Sequence, residues 1–129
     1  MSAIRPVTLA DVMGLERYEA ERDSIRRRII DLKRNRRISL GDEISLVFEN
    51  HDTVWFQIHE MLRTERITDI DAIRQELDVY NALLPEAGGV SATLFIEITE
   101  QDKIEERLLR LIGIDECVRI EIGEEFSVP

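Results

Sequence analysis

The chain has a single cysteine among its 129 residues, so it cannot form an internal disulfide. Cys117 falls in an alternating apolar segment, where we interpret it as a packed side chain rather than a reactive thiol. No apolar run approaches the roughly 20 residues of a membrane span, and the N-terminus lacks the apolar core of a secretion signal. We therefore expect a cytoplasmic protein with no affinity for membranes.

The common motifs of catalytic and metal sites are absent as well. The sequence contains no glycine-rich phosphate loop, no G-x-S-x-G elbow and no paired zinc cysteines. His51 and His59 are its two histidines, and their surroundings offer neither an H-x-x-x-H nor an E-x-x-H ligand pair. We expect no metal and no cofactor, and we interpret His59 as a ring packed beside Trp55.

Charge of one sign dominates the chain. Its 27 acidic and 17 basic side chains give a formal net charge of -10, which repels nucleic-acid phosphates, so we expect no nucleic-acid partner. The segment RRRIIDLKRNRR, residues 26–37, is the exception and holds seven of the basic side chains. These spread around a helical wheel and suit a helix C-terminus, so the favoured interpretation is a solvated helix end. An acidic partner protein and an anionic ligand remain alternatives.

Hydrophobic periodicity predicts an α+β fold in which a mainly antiparallel sheet is covered by helices. One long N-terminal helix is predicted from Thr8, an N-cap with Asp11 three residues on, to Asn35. The same spacing, Thr68 with Asp71 and Thr99 with Asp102, predicts the starts of two later helices. The other predicted elements are a hairpin turning at Gly41 and Asp42, a helix over residues 51–66, helices over 68–85 and 99–113, strands over 90–98 and 117–122, and a final turn at Gly123 and Glu124.

These elements suggest a single domain over residues 1–129. Because the last hairpin stops when its second strand has barely begun, we expect a natural C-terminal portion to be missing. The alternative is a short edge strand, which would give the same pattern.

The helix predicted over residues 51–66 has two apolar contacts. Phe56 points away from the row that contains Ile58 and Met61, which indicates an interface or a second packing layer. Glu65 continues that apolar row, where burial would suit it to act as an acid or base. The favoured alternative is that the helix frays at Thr64, leaving Glu65 solvated or paired with an arginine.

The stretch LVFENHDTVWFQIHEMLRTERI, with the later YNALLP and SATLFIEI, resembles the bacterial domain of unknown function 3501 family. The opening TLADVMGLERYEAERDSIRRRIIDLKRNRRISLG also fits the start of that family, so the resemblance covers nearly the whole chain. The family has no established activity, and its members are usually longer. Its genes often lie beside those of rubrerythrin-like proteins and heterodisulfide-reductase-like iron-sulfur proteins. The resemblance therefore implies an accessory role near redox or peroxide metabolism.

If the central motif marks a functional surface, its polar side chains suit hydrogen bonding to a partner backbone or a small polar ligand. The simpler alternative is that Asn50 and Asp52 only turn the chain and cap a helix. With the apolar contact at Phe56, the candidate residues are Glu49, Asn50, Asp52, Thr53, Phe56, Gln57, Glu60, Arg63, Glu65 and Arg66.

Two functions follow from these observations. The first is a non-catalytic interaction or assembly protein, a homo-oligomer whose partner is a rubrerythrin-like or iron-sulfur protein. The second is an enzyme or small-ligand sensor that uses the polar surface from Glu49 to Arg66. An enclosed pocket of convergent side chains would favour the second function, and an exposed apolar patch around Phe56 the first.

Overall fold

The computed structural model describes residues 5–86, 89–97, 104–111, 113, 120–122 and 126–128. Within them, helices are interspersed with short antiparallel strands, which confirms the predicted α+β fold. The elements are a short 3₁₀ helix (Leu9–Asp11), α1 (Leu15–Arg34), β1 (Arg37–Leu40), β2 (Ile44–Phe48), α2 (His51–Thr64), α3 (Ile70–Asn81), β3 (Ala92–Ile96), α4 (Ile104–Leu111), β4 (Ile120–Ile122) and β5 (Phe126–Val128).

The long N-terminal helix is present, but it starts later than predicted. Thr8 and Asp11 form the expected capping box on the 3₁₀ helix, after which Val12 is extended and α1 starts at Leu15. The break has two causes: Gly14 has a low helix propensity, and the Met13 N–H donates to the His59 ring instead of to a helical carbonyl.

The start of α3 also differs from the prediction. Its N-cap is Asp69, whose carboxylate accepts from the Ala72 N–H, rather than Thr68. An aspartate is at least as good an N-cap as a threonine, so Asp69 caps the helix in place of Thr68. The predicted box of Thr99 and Asp102, the turn at Gly123 and Glu124, and Cys117 lie outside the described residues.

Strands β1, β2 and β3 form an antiparallel sheet in that order, and β4 pairs antiparallel with β5. The hairpin turn between β1 and β2 holds three residues, 41–43, rather than the predicted two, and Gly41 adopts a φ of 75° that favours glycine. Because side chains alternate along a strand, each face of the sheet has its own composition. The helix-side face carries Arg37, Ser39, Ser45, Val47, Thr93 and Phe95, and the apolar face carries Ile38, Leu40, Ile44, Leu46, Phe48, Ala92, Leu94 and Ile96.

Helix α2 is packed on two sides. One buried cluster joins it to the N-terminal segment and α3, and consists of Val7, Val54, Ile58, Leu62 and Leu77. A second cluster belongs to α1 and consists of Tyr18, Ile25 and Ile29, with Phe56 of α2 packed against it. Phe56 therefore makes the second apolar contact that its position on the helical wheel predicts.

The N-terminal segment is fastened to α2 and α3 by side chains that bind its backbone. The Asn81 amide bonds both the N–H and the carbonyl of Val7, each at 2.9 Å. The Trp55 indole N–H donates to the Asp11 carbonyl at 2.8 Å. These bonds satisfy polar backbone groups that pack against an apolar cluster and would otherwise be costly to bury.

His59 completes this attachment and is 1% exposed. Its Nε2 accepts from the Met13 N–H at 2.9 Å, so Nδ1 carries the proton and donates to the Trp55 carbonyl at 2.8 Å. The ring stacks at centroid distances of 4.0 Å from Trp55 and 5.0 Å from Tyr18. Burial lowers the pKa of His59, because a charged ring is poorly solvated there. The structure therefore holds a neutral, packed His59.

Stability should fall in mild acid because of this histidine. The unfolded chain protonates His59 below its ordinary pKa of about 6.5, whereas the folded chain resists protonation, so the free energy of unfolding should drop by up to about 1.4 kcal/mol per pH unit below that value. Urea unfolding at pH 7.5 and pH 5.5 measures the drop. The carboxylates whose pKa is lowered, such as Glu60, titrate at lower pH and do not contribute in this window.

His59→Gln should reduce the loss of stability between the two pH values. His51→Gln is the matched control, because His51 is less buried and its ring bonds, within the part of the chain that the structure describes, to Arg5. A loss that persists in His59→Gln and disappears in His51→Gln would contradict the assignment.

Candidate functional site

Glu49 follows the last residue of β2 and is 2% exposed. Its carboxylate accepts from the hydroxyl of Thr93 on β3 at 2.6 Å and from the hydroxyl of Thr53 on α2 at 2.5 Å. The Gln57 amide approaches it at 3.5 Å. Nearby, the Arg36 guanidinium donates to the carbonyls of Phe48 and Glu49 rather than to the carboxylate. Glu49 thus connects two strands and a helix through neutral donors.

Asn50 and Thr53 start α2 as a reciprocal capping box. The Asn50 side chain accepts from the Thr53 N–H at 2.9 Å, and the Thr53 hydroxyl accepts from the Asn50 N–H at 2.8 Å. Asp52 is exposed in the first turn, where a negative charge interacts favourably with the helix dipole. Asn50 therefore caps the helix as the simpler alternative has it, but its partner in the capping box is Thr53, whereas Asp52 only adds a charge to the first turn.

Glu60 and the residues it binds attach α2 to α1. The Glu60 carboxylate accepts from the Tyr18 hydroxyl at 2.7 Å and forms two bonds, of 2.8 and 3.0 Å, with the Arg22 guanidinium. The bond to Arg22 lowers the pKa of Glu60, while burial and the bond to Glu60 raise the pKa of Tyr18. One helical turn further on, Arg63 binds Glu19 at 2.6 Å and lowers the pKa of that carboxyl.

Glu65 and Arg66 lie just beyond the end of α2. The helix ends at Thr64, so Glu65 is an exposed C-cap and does not extend the apolar row of Ile58 and Met61. This agrees with the favoured alternative, in which the helix ends at Thr64. Arg66 is exposed and has a φ of 53°, the left-handed conformation that often follows a helix.

A groove runs along the remaining side of α2, between α1 and α3. It is open to solvent, has a volume of about 330 Å³ and a largely apolar lining, and we call it the α2 groove. The Lys33 ammonium lies 5.6 Å from the centre of the Phe56 ring at one end. The groove is lined by Lys33, Phe56, Gln57, Glu60, Met61, Thr64, Glu65 and Tyr80.

The ten candidate residues therefore do not share one site. Four of them line the α2 groove, while Glu49 lines a different hollow beside Arg36 and Ser91, and Arg63 and Arg66 line a third with Thr68. Among the residues that the structure describes, no group of three His, Cys, Asp or Glu side chains could hold a metal ion. In the same part of the chain, every helix is too short or too polar to cross a membrane.

Sequence patterns did not reveal the partners of these residues. Tyr18, Arg22 and Thr93 bind candidate residues that are 38 to 44 positions away. Helical spacing reports neighbours within one element, so it gives no signal for contacts of this kind. The sequence offered one clue to the burial of Glu49, its position directly after the apolar residues that end β2.

Replacing Glu49 by glutamine should lower the free energy of unfolding by about 1–3 kcal/mol, because an amide nitrogen cannot accept a bond from a threonine hydroxyl. Chemical denaturation measures the change. Glu97→Gln serves as the control, since the side chain of Glu97 is 60% exposed, and it should have little effect. Equal stability of Glu49→Gln and the unmodified chain would contradict the structural role of this carboxylate.

Comparisons with known proteins agree with the sequence resemblance. No curated protein matches the chain. A crystal structure of a novel protein of unknown function from Burkholderia pseudomallei K96243 is 36% identical, with a TM-score of 0.88, and the match covers 94% of this chain and 68% of that one. The family described as "Protein of unknown function (DUF3501)" matches residues 6–129. The chain therefore belongs to the DUF3501 family.

Proposed function

We propose that this chain is a non-catalytic interaction protein that acts as a homo-oligomer. The observation that supports the proposal is the open, largely apolar α2 groove around Phe56 and Met61. Most of the polar candidates nearby already bind other parts of the chain: Glu49 binds threonines, Glu60 binds Arg22 and Arg63 binds Glu19. What remains accessible is a contact surface rather than a set of convergent reactive groups.

The charges of the α2 groove favour a second copy of the chain as its occupant. Helix α1 runs antiparallel to α2, so Lys33 lies beside Phe56 at the N-terminal end, whereas Glu65 lies at the other end. The nine residue steps from Phe56 to Glu65 correspond to about 13 Å along the helix axis. In the twofold contact that we propose, α2 of one copy packs antiparallel to α2 of the other. Lys33 of each copy then meets Glu65 of the other.

A charge swap tests this pairing. Lys33→Glu and Glu65→Lys should each weaken dimerisation about fivefold, because each opposes like charges at two symmetric positions. The double variant should restore the affinity, since it exchanges the two signs. Sedimentation velocity over a range of protein concentrations gives the dimer dissociation constant.

Arg74→Glu is the matched control, because it reverses an exposed charge on α3 outside the groove. It should leave dimerisation unchanged. A chain that stays monomeric at every concentration, or a double variant that is weaker than both single variants, would contradict the proposal.

The redox setting belongs to the same proposal and rests on the family resemblance. We infer that the oligomer serves a rubrerythrin-like or iron-sulfur partner in the cytoplasm, with the iron held by the partner. Calorimetric titration with a purified rubrerythrin-like protein should give saturable binding at a fixed stoichiometry. A titration without heat at micromolar concentrations of both proteins would contradict binding to this partner. The homo-oligomer would still be tested separately by the charge swap.

A further inference from the structure

Strand β1 forms the outer edge of the three-stranded sheet, and among the described residues its only strand neighbour is β2. All four of its residues are exposed, including Ile38 at 47% and Leu40 at 45%. Both lie on the apolar face, where Leu40 is in register with Ile44 and Ile38 is in register with Leu46, which is only 8% exposed. The apolar surface that is covered at β2 therefore continues to an uncovered edge.

The helix-side face of the same strand meets the basic end of α1. There a hollow of about 350 Å³, which we call the basic hollow, is lined by Ile30, Lys33, Arg34, Arg37 and Ser39. The segment 26–37 holds seven of the 17 basic side chains and one of the 27 acidic ones. An otherwise acidic chain thus places its basic segment beside a sheet edge.

The ion pairs present in the basic hollow are weak. Arg34 pairs with Asp31 at 3.2 Å, with both side chains at least 70% exposed, and Arg37 lies 3.6 Å from Glu97. Exposed pairs of this kind contribute little and exchange readily with other carboxylates. The guanidinium groups can therefore bind an incoming acidic side chain.

We infer that β1 binds an extended peptide segment of a partner protein, in which apolar and acidic residues alternate. A strand added beside β1 would form main-chain hydrogen bonds, and its side chains would alternate between the two faces. Those on one face would meet Ile38 and Leu40, and those on the other would meet Arg34 and Arg37. The two faces of the edge thus explain why apolar and acidic residues should alternate along the bound peptide.

A second copy of the chain is a poorer occupant of this edge. Twofold pairing of β1 with itself would bring two basic helix ends together, which like-charge repulsion opposes. Lys33 lines both the basic hollow and the α2 groove, but Ile38 and Arg34 do not line the α2 groove, so variants at these two residues test the inference separately from the homo-oligomer.

Fluorescence anisotropy with labelled, end-capped peptides tests the inference. The probe is Glu-Ile-Glu-Val-Glu-Ile-Glu, with two controls, one carrying lysine for glutamate and the other proline for the central valine. The probe should bind saturably, and both controls should bind at least about tenfold more weakly, since one reverses the charge and the other removes a backbone donor.

Two pairs of variants of the full chain locate the site. Ile38→Glu should weaken binding of the probe about tenfold and Arg34→Glu about threefold. The controls Val79→Glu and Arg17→Glu should stay within about twofold, because Val79 lies on α3 and Arg17, 73% exposed, lies at the far end of α1. Far-ultraviolet circular dichroism checks that every variant is folded.

Three results would overturn the inference. One is the absence of probe binding at millimolar peptide. Another is equal binding of the proline control or of single-stranded DNA, which would indicate unspecific attraction to the basic segment. The third is self-association of the chain that Ile38→Glu abolishes, which would assign the edge to a second copy.

Discussion

The structure depends on α2 being packed on two sides at once. Ile58 and Leu62 contact the N-terminal segment and α3, while Phe56 contacts the buried cluster of α1. A helix of 14 residues that meets two neighbours keeps only one stripe for other contacts. That stripe is the floor of the α2 groove, so the packing of the core decides which side of α2 stays open to solvent.

The polar groups around α2 reinforce this arrangement. Glu49 and His59 are buried, and each is satisfied by partners that belong to separate elements. Removing one partner of such a group leaves the other unsatisfied, which costs more than a typical hydrogen bond contributes. These residues therefore fix the positions of β3 and of the N-terminal segment relative to α2. The pairs of α1 with Glu60 and Arg63 are more exposed and fix the orientation of the two helices more weakly.

Much of the fold could be predicted from sequence, because periodicity and capping are local. The alternation along β2 and β3 and the helical rows of α2 and α3 appear directly in the residue pattern. The late start of α1 could be predicted only in part: the low helix propensity of Gly14 is visible in the sequence, whereas the bond from Met13 to His59, 46 residues away, is not. The candidate site was predictable in part. Phe56 was identified by its position opposite the main apolar row, whereas Lys33 and Tyr80 come from other helices and reach the groove only through the tertiary fold.

In the homo-oligomer that we propose, the free stripe of α2 contacts a second copy in an antiparallel twofold arrangement. Zero-length carbodiimide cross-linking tests it most directly, because the sequence contains only two lysines, Lys33 and Lys103. In a mixture of ¹⁵N-labelled and unlabelled protein, we expect a cross-link between Lys33 of one copy and Glu65 of the other, seen by mass spectrometry as peptides of mixed isotope content. Cross-linked dimers that lack this pair, or Lys33 joined only to carboxylates of its own chain, would contradict it.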